Sequence, residues 1–173
     1  SFTDYLLMLN KYLEEEDYLP ALEASDQLSF LYSIMPSKIE GTSKEFHHAH
    51  LKIFVEKHGE TNSMLMGIMS TRLAMVDEDY AQKLGSQFND YANVDPNMKN
   101  AVAVAYARAH GDFDAILKKY RVSSSDEEKI RLLTSLMSFR EKSLINSSLD
   151  LALSNEVKRQ DVRTMILASV INP

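Results

Sequence analysis

Apolar residues recur at helical spacing along nearly the whole chain, and short polar clusters separate the recurrences. The first such run spans Thr3 to about Leu13, with Tyr5, Leu6, Met8, Leu9 and Leu13 apolar and Thr3 placed to cap a helix. A second helix is expected from Tyr18-Leu19-Pro20, carrying Leu22, Leu28, Leu31 and Ile34. Pro36-Ser37 breaks the pattern, and the polar stretch from Ile39 to Ser43, with Gly41 inside it, reads as a loop or weak turn. The third helix is then expected over Lys44 to Lys57, with Phe46, Leu51, Phe54 and Val55 facing inward and Gly59 ending it. Thr61 or Asn62 is the expected cap of a fourth, methionine-rich helix through Met64, Met66, Met69 and Met75. That stripe reads as flexible core filling rather than a partner groove. Asp77-Glu78-Asp79 opens a fifth helix bearing Tyr80, Leu84 and Phe88.

The densest stretch runs from Asp95 to Arg121 and predicts helix, tight turn, helix. Asp95 suits the cap and Pro96 the first turn of the first helix. Its centre, Ala101 to Ala109, is apolar nearly all round, which implies burial on more than one side. Gly111 suits a left-handed helix end, and Asp112 suits the cap of the next helix. There Phe113, Ile116, Leu117 and Tyr120 form one stripe. Ser125 and Glu128 have the spacing of a capping box for an eighth helix carrying Ile130, Leu132, Leu133, Leu136, Met137 and Phe139. A ninth carries Leu144, Ile145, Leu149 and Ala152, and a tenth runs from about Val157 through Val162, Ile166, Leu167 and Val170.

No segment has the alternation of a strand. Runs ending near Val76, His110, Phe139 and Ile171 recur at about thirty residues, the range of helical repeats. The expected fold is all-α: stacked antiparallel helix pairs forming a solenoid. Residues 1–173 read as a single helical-repeat domain, with 1–35 as the first helix pair and 43–173 as further degenerate pairs.

Composition narrows the function. The 173 residues are 45% hydrophobic and 25% charged, as in a globular protein with a sizeable core. A net charge of -6 argues against broad nucleic-acid binding and against an anionic membrane surface. No run approaches the roughly 18 apolar residues of a membrane span. Without cysteine there is no disulfide or thiolate metal site, which fits an intracellular setting. An opening at Ser1 and a close at Pro173 after an apolar helix suggest a fragment of a longer polypeptide.

Candidate chemistry is sparse. His47 and His50 share a helix face in His-His-Ala-His, with Glu45 nearby, and that spacing allows two imidazoles on zinc or nickel. It is not the His-Glu-x-x-His spacing of a catalytic zinc helix, and interface or solvent-facing histidines are the plainer reading. No serine sits in a Gly-x-Ser-x-Gly turn, and the acidic run Glu14 to Asp17 reads as a solvated connection. Lys118, Lys119 and Arg121 suit a helix C-terminus. Arg72, Arg108 and Arg140 occupy comparable places in successive units, so they are candidates to line one surface and contact a peptide.

Tyr12 to Pro20, with its acidic run, aromatic and helix-opening proline, resembles a segment of the C-terminal helical region of the aminopeptidase N family of zinc aminopeptidases. Ala21 stands where that family usually has tryptophan. The resemblance continues through Leu73 to Ala81, Val94 to Lys99, Gly111-Asp112-Phe113, Leu117 to Tyr120, Asp126 to Leu133 and Glu156 to Asp161. The chain looks most like the archaeal tricorn-interacting branch. This implies a HEAT-like, superhelical domain that covers the substrate cavity of a cytoplasmic enzyme removing N-terminal residues from peptides. It further implies zinc in the parent enzyme and none in this fragment. The implied partners are the catalytic domain of the same polypeptide, peptide substrates and a tricorn-type protease. No catalytic or metal-binding residue transfers onto this chain. The alternatives are an independent helical-repeat adaptor for another protein and a small metal protein built on His47 and His50.

Overall fold

A computed structural model describes residues 1–58 and 63–173. Among these residues the protein has ten α-helices and no strand. They are α1 (Phe2–Asn10), α2 (Tyr18–Ile34), α3 (Pro36–His58), α4 (Ser63–Val76), α5 (Glu78–Gly85), α6 (Lys99–His110), α7 (Phe113–Val122), α8 (Asp126–Ser135), α9 (Lys142–Ala152) and α10 (Arg159–Ile171). Tight 3-10 segments follow α5 (Ser86–Asn93) and α8 (Leu136–Ser138).

The helices alternate between two layers. α2, α4, α6, α8 and α10 line a common cavity together with Ser43 of α3, and the rest of α3 with α5, α7 and α9 packs behind them. α2 packs on α3, α3 on α4, and α4 on both α5 and α6; α6 packs on α5, α7 and α8. α10 packs on α8 and α9 and also reaches α2, so the row of cavity helices curves until its two ends touch. Burial falls into two clusters that share α4: Leu65, Met69, Leu73 and Val76 join α1–α3, whereas Ala74 joins α5–α10. On α6, Ala101, Val102, Ala103 and Ala105 are fully buried, as the all-round apolar pattern requires.

Local chemistry explains most boundaries. Gly111 adopts φ 59° and ends α6, and the Asp112 carboxylate accepts the Ala115 N–H at 3.0 Å to start α7. Asp77 caps α5 by accepting the Tyr80 N–H at 3.1 Å.

Several boundaries differ from the sequence expectation. α1 starts at Phe2 because Ser1, not Thr3, forms a reciprocal capping box with Asp4, and the helix stops at Asn10. No loop separates Pro36 from Lys44: α3 begins at Pro36, where a missing N–H costs nothing, and runs through Ile39, which is fully buried. Gly59, Thr61 and Asn62, the expected boundary residues between α3 and α4, lie outside the described residues. Asp95 accepts the Asn97 N–H at 2.8 Å and so organises a turn ahead of α6, which starts only at Lys99. The fifth helix ends at Gly85, and Phe88 is buried from the 3-10 segment. Ser125 caps α8, but the Glu128 carboxylate turns away to Lys99 and Arg131 instead of closing the box. Val55 is exposed, as are Ile166, Leu167 and Val170; Met165 is the α10 residue in the core.

Two glycines set close backbone approaches. A Cβ on Gly67 would lie 2.1 Å from the Asn97 carbonyl oxygen, and one on Gly85 would lie 3.0 Å from the Tyr106 backbone. Gly67→Ala is therefore expected to destabilise the fold by about 1–3 kcal/mol through overpacking. Gly41→Ala, in open space within α3, is expected to stabilise it by about 0.5–1 kcal/mol. Urea-denaturation midpoints of the two variants should move in opposite directions.

Candidate functional site

The cavity bounded by α2, α4, α6, α8 and α10 has a volume of about 500 Å³. Phe30 and Ile171, both largely exposed, line it together with Met75, Val104 and Ala168. Its polar lining includes Asp26, Ser43, Thr71, Arg72, Asn100, Thr134 and Asn172. Arg72 supplies the cationic group. Its guanidinium donates to the Asp26 carboxylate and to Ser25 Oγ, and its side chain is 21% exposed while that of Asp26 is 50% exposed. Burial pulls the guanidinium pKa below its ordinary value and Asp26 opposes that pull, so the group stays cationic.

The other two candidate arginines sit elsewhere. Arg108 is buried behind the cavity wall. Its Nη1 donates to the Asn172 side-chain oxygen at 2.8 Å and to the Ser138 carbonyl at 3.4 Å, and its Nη2 donates to the Met75 carbonyl at 2.9 Å. Those acceptors lie at the ends of α10, the 3-10 segment after α8, and α4; two are backbone carbonyls and the third is the Asn172 side-chain amide oxygen. Among the described residues no carboxylate is within ion-pair distance of it. Arg140 is half-exposed and bonds Glu78 at 2.9 Å. The structure thus brings Arg72 to the cavity, Arg108 behind it and Arg140 to a surface ion pair.

The histidines point in different directions. His47 is fully buried, with Nε2 2.8 Å from Ser25 Oγ and Nδ1 3.3 Å from Ser43 Oγ. Burial first, and the Arg72 charge second, push its pKa down to about 3. His50 donates from Nδ1 to the Phe46 carbonyl at 3.0 Å and stacks on the Phe46 ring at 4.2 Å. His48 faces away, with Nε2 2.7 Å from the Asp77 carboxylate that Lys44 also approaches. Burial alone would raise the Asp77 pKa, but the Tyr80 N–H, His48 and Lys44 outweigh it and hold the carboxyl below its ordinary range. His47 has both nitrogens engaged, and no group of three potential ligands gathers among the described residues. These side chains do not fit a zinc ion.

The geometry therefore defines a helical wall around a cavity that presents the Arg72 guanidinium. The chain belongs to the ERAP1-like C-terminal domain family, which matches residues 1–173. It is 34% identical to the leucyl aminopeptidase of Saccharolobus solfataricus, across 99% of this chain and 22% of that protein. It is also 34% identical to probable aminopeptidase 2 of Sulfurisphaera tokodaii, across 100% of this chain and 22% of that protein. Its identity to the tricorn protease-interacting factor F2 of Thermoplasma volcanium is 29%, again across 100% of this chain and 22% of that protein. The chain thus spans 22% of the length of these relatives.

Sequence reasoning missed Ser25, Asp26, Tyr32 and Asn172. Only the four-residue spacing of Ser43 and His47 on one helix face carried a signal for this network.

Arg108→Met is expected to cost about 3 kcal/mol or more, because it strips the donor from buried carbonyls. Arg140→Met should cost under about 1 kcal/mol, as for an exposed ion pair. Denaturant titration of both variants checks the contrast. His47 adds a pH term. Its folded pKa of about 3 lies below the ordinary value of 6.5, so the unfolded chain binds the extra proton between these limits. Stability should fall on acidification from about pH 6.5 toward about pH 3, and His47→Gln should remove that part of the slope.

Proposed function

We propose that this chain is the part of a zinc aminopeptidase that shapes and covers the substrate cavity, while catalysis and zinc binding belong to residues outside it. The observation that carries this reading is the match of residues 1–173 to the ERAP1-like C-terminal domain, set against aminopeptidases of which the chain spans 22%. The parent enzyme removes N-terminal residues from peptides. A HEAT-like superhelix is the proposed form of the stack, and the alternation of cavity-lining and backing helices supports it. The catalytic domain of the same polypeptide is the proposed neighbour. The proposed setting is the cytoplasm, with a tricorn-type protease as supplier of peptides; the similarity to the Thermoplasma volcanium factor supports the latter. The match over the whole chain favours this reading over an independent adaptor.

Within the cavity, Arg72 is the proposed contact for the carboxylate end of a peptide. Its present partner, Asp26, is half-exposed, so an incoming carboxylate competes for an accessible guanidinium. Arg108 contributes by fixing the cavity wall, and Arg140 is an outlying candidate on the same reading. In the full-length polypeptide, Arg72→Met is expected to raise KM for longer peptides about three- to tenfold while leaving dipeptides unchanged. Steady-state kinetics over a length series checks this, and equal effects at all lengths would discard the assignment.

A further inference from the structure

Behind Arg72 lies a buried polar chain that ordinary packing does not require. Ser25 and His47 are fully buried, and Ser43 is nearly so. The connections run from Arg72 to Ser25 Oγ, from Ser25 Oγ to His47 Nε2 at 2.8 Å, and from His47 Nδ1 to Ser43 Oγ at 3.3 Å. Arg72 and Ser43 both line the cavity, so the chain leaves the cavity wall at one point and returns to it at another.

One order of donors gives every proton in this chain an acceptor within it. A guanidinium only donates, so Ser25 Oγ accepts from Arg72. In that order the Ser25 hydroxyl proton goes to His47 Nε2, 2.8 Å away. A neutral imidazole that accepts at Nε2 carries its proton on Nδ1, which faces Ser43 Oγ. Burial keeps the ring neutral, with a pKa of about 3, so this order holds across the physiological pH range. Were the ring cationic, Nε2 would donate and the Ser25 proton would have no acceptor there.

Resting on the reading of Arg72 as the peptide-carboxylate contact, we propose that His47 is a positioning residue that holds the Arg72 guanidinium against the cavity through Ser25. Asp26 holds the same guanidinium from the exposed side, and it is the partner that a peptide carboxylate displaces. His47 and Ser25 stay in place during that exchange because they are buried, so the cation keeps its position when its counter-charge leaves.

The test uses the full-length polypeptide and a series from dipeptides to longer peptides. His47→Leu and Ser25→Ala should each raise KM for the longer peptides about threefold or more, with kcat and dipeptide KM unchanged. His47→Gln, which can place an amide oxygen near the Nε2 position, should restore most of the loss. In an Arg72→Met background, His47→Leu should add no further effect. Nitrogen chemical shifts of histidine-labelled protein should report His47 with its proton on Nδ1. The inference is overturned if Arg72→Met shows the length-dependent effect while His47→Leu and Ser25→Ala do not, if the effects of Arg72→Met and His47→Leu add, or if the proton sits on Nε2. If Arg72→Met shows no length dependence, the functional reading itself fails, and the nitrogen shifts still decide the order of the buried chain.

Discussion

The buried Arg108 guanidinium is the constraint on which the rest of the structure depends. Helix C-termini leave carbonyl oxygens without intrahelical partners, and at the surface water satisfies them. Here the closing groups of α4, of the segment after α8 and of α10 turn inward onto one side chain of α6. The Met75 carbonyl also receives the Tyr32 hydroxyl at 3.3 Å, which ties in α2. Every helix that lines the cavity is therefore referenced to the same point. Asn172 extends the arrangement: its amide oxygen accepts from Arg108 while its nitrogen donates to the Phe139 carbonyl at 2.8 Å. Among the described residues no carboxylate is in ion-pair range of this cation, and two carbonyls and an amide oxygen hold it instead.

Small residues let this convergence happen. α6 presents alanines on several faces, and its neighbours approach to backbone contact: α5 at Gly85 against Tyr106, α4 at Gly67 against the turn before α6. Larger side chains at those points would push the surrounding helices outward and take Met75 and Ser138 out of reach of Arg108. The polar interior therefore rests on the apolar packing around it. The same holds for the Ser25–His47–Ser43 chain, whose groups stay buried at low cost because each finds a partner.

Much of this was legible in the sequence. The helical period, the left-handed Gly111, the Asp112 cap and the buried faces of α6 and α7 all follow from residue type and spacing. Local rules failed where tertiary contacts overrode them. The stretch from Ile39 to Ser43 looks like a loop by composition, yet Ile39 enters the core and carries the polar residues into α3. Arg72, Arg108 and Arg140 share a sequence interval but not an environment. An arginine's reach lets it find carbonyls, a carboxylate or solvent, and only the surrounding helices decide which. The cavity drew on residues as far apart as Asp26 and Asn172, whose proximity depends on curvature that no local pattern encodes.

The two apolar clusters meet at α4, and each holds a different wall of the cavity. α2 belongs to one cluster, and α6, α8 and α10 to the other, so opposite walls are held by separate cores. The Met75 carbonyl spans this junction: it accepts from Tyr32 on the α2 side and from Arg108 on the α6 side, so one backbone oxygen of α4 couples the two cores.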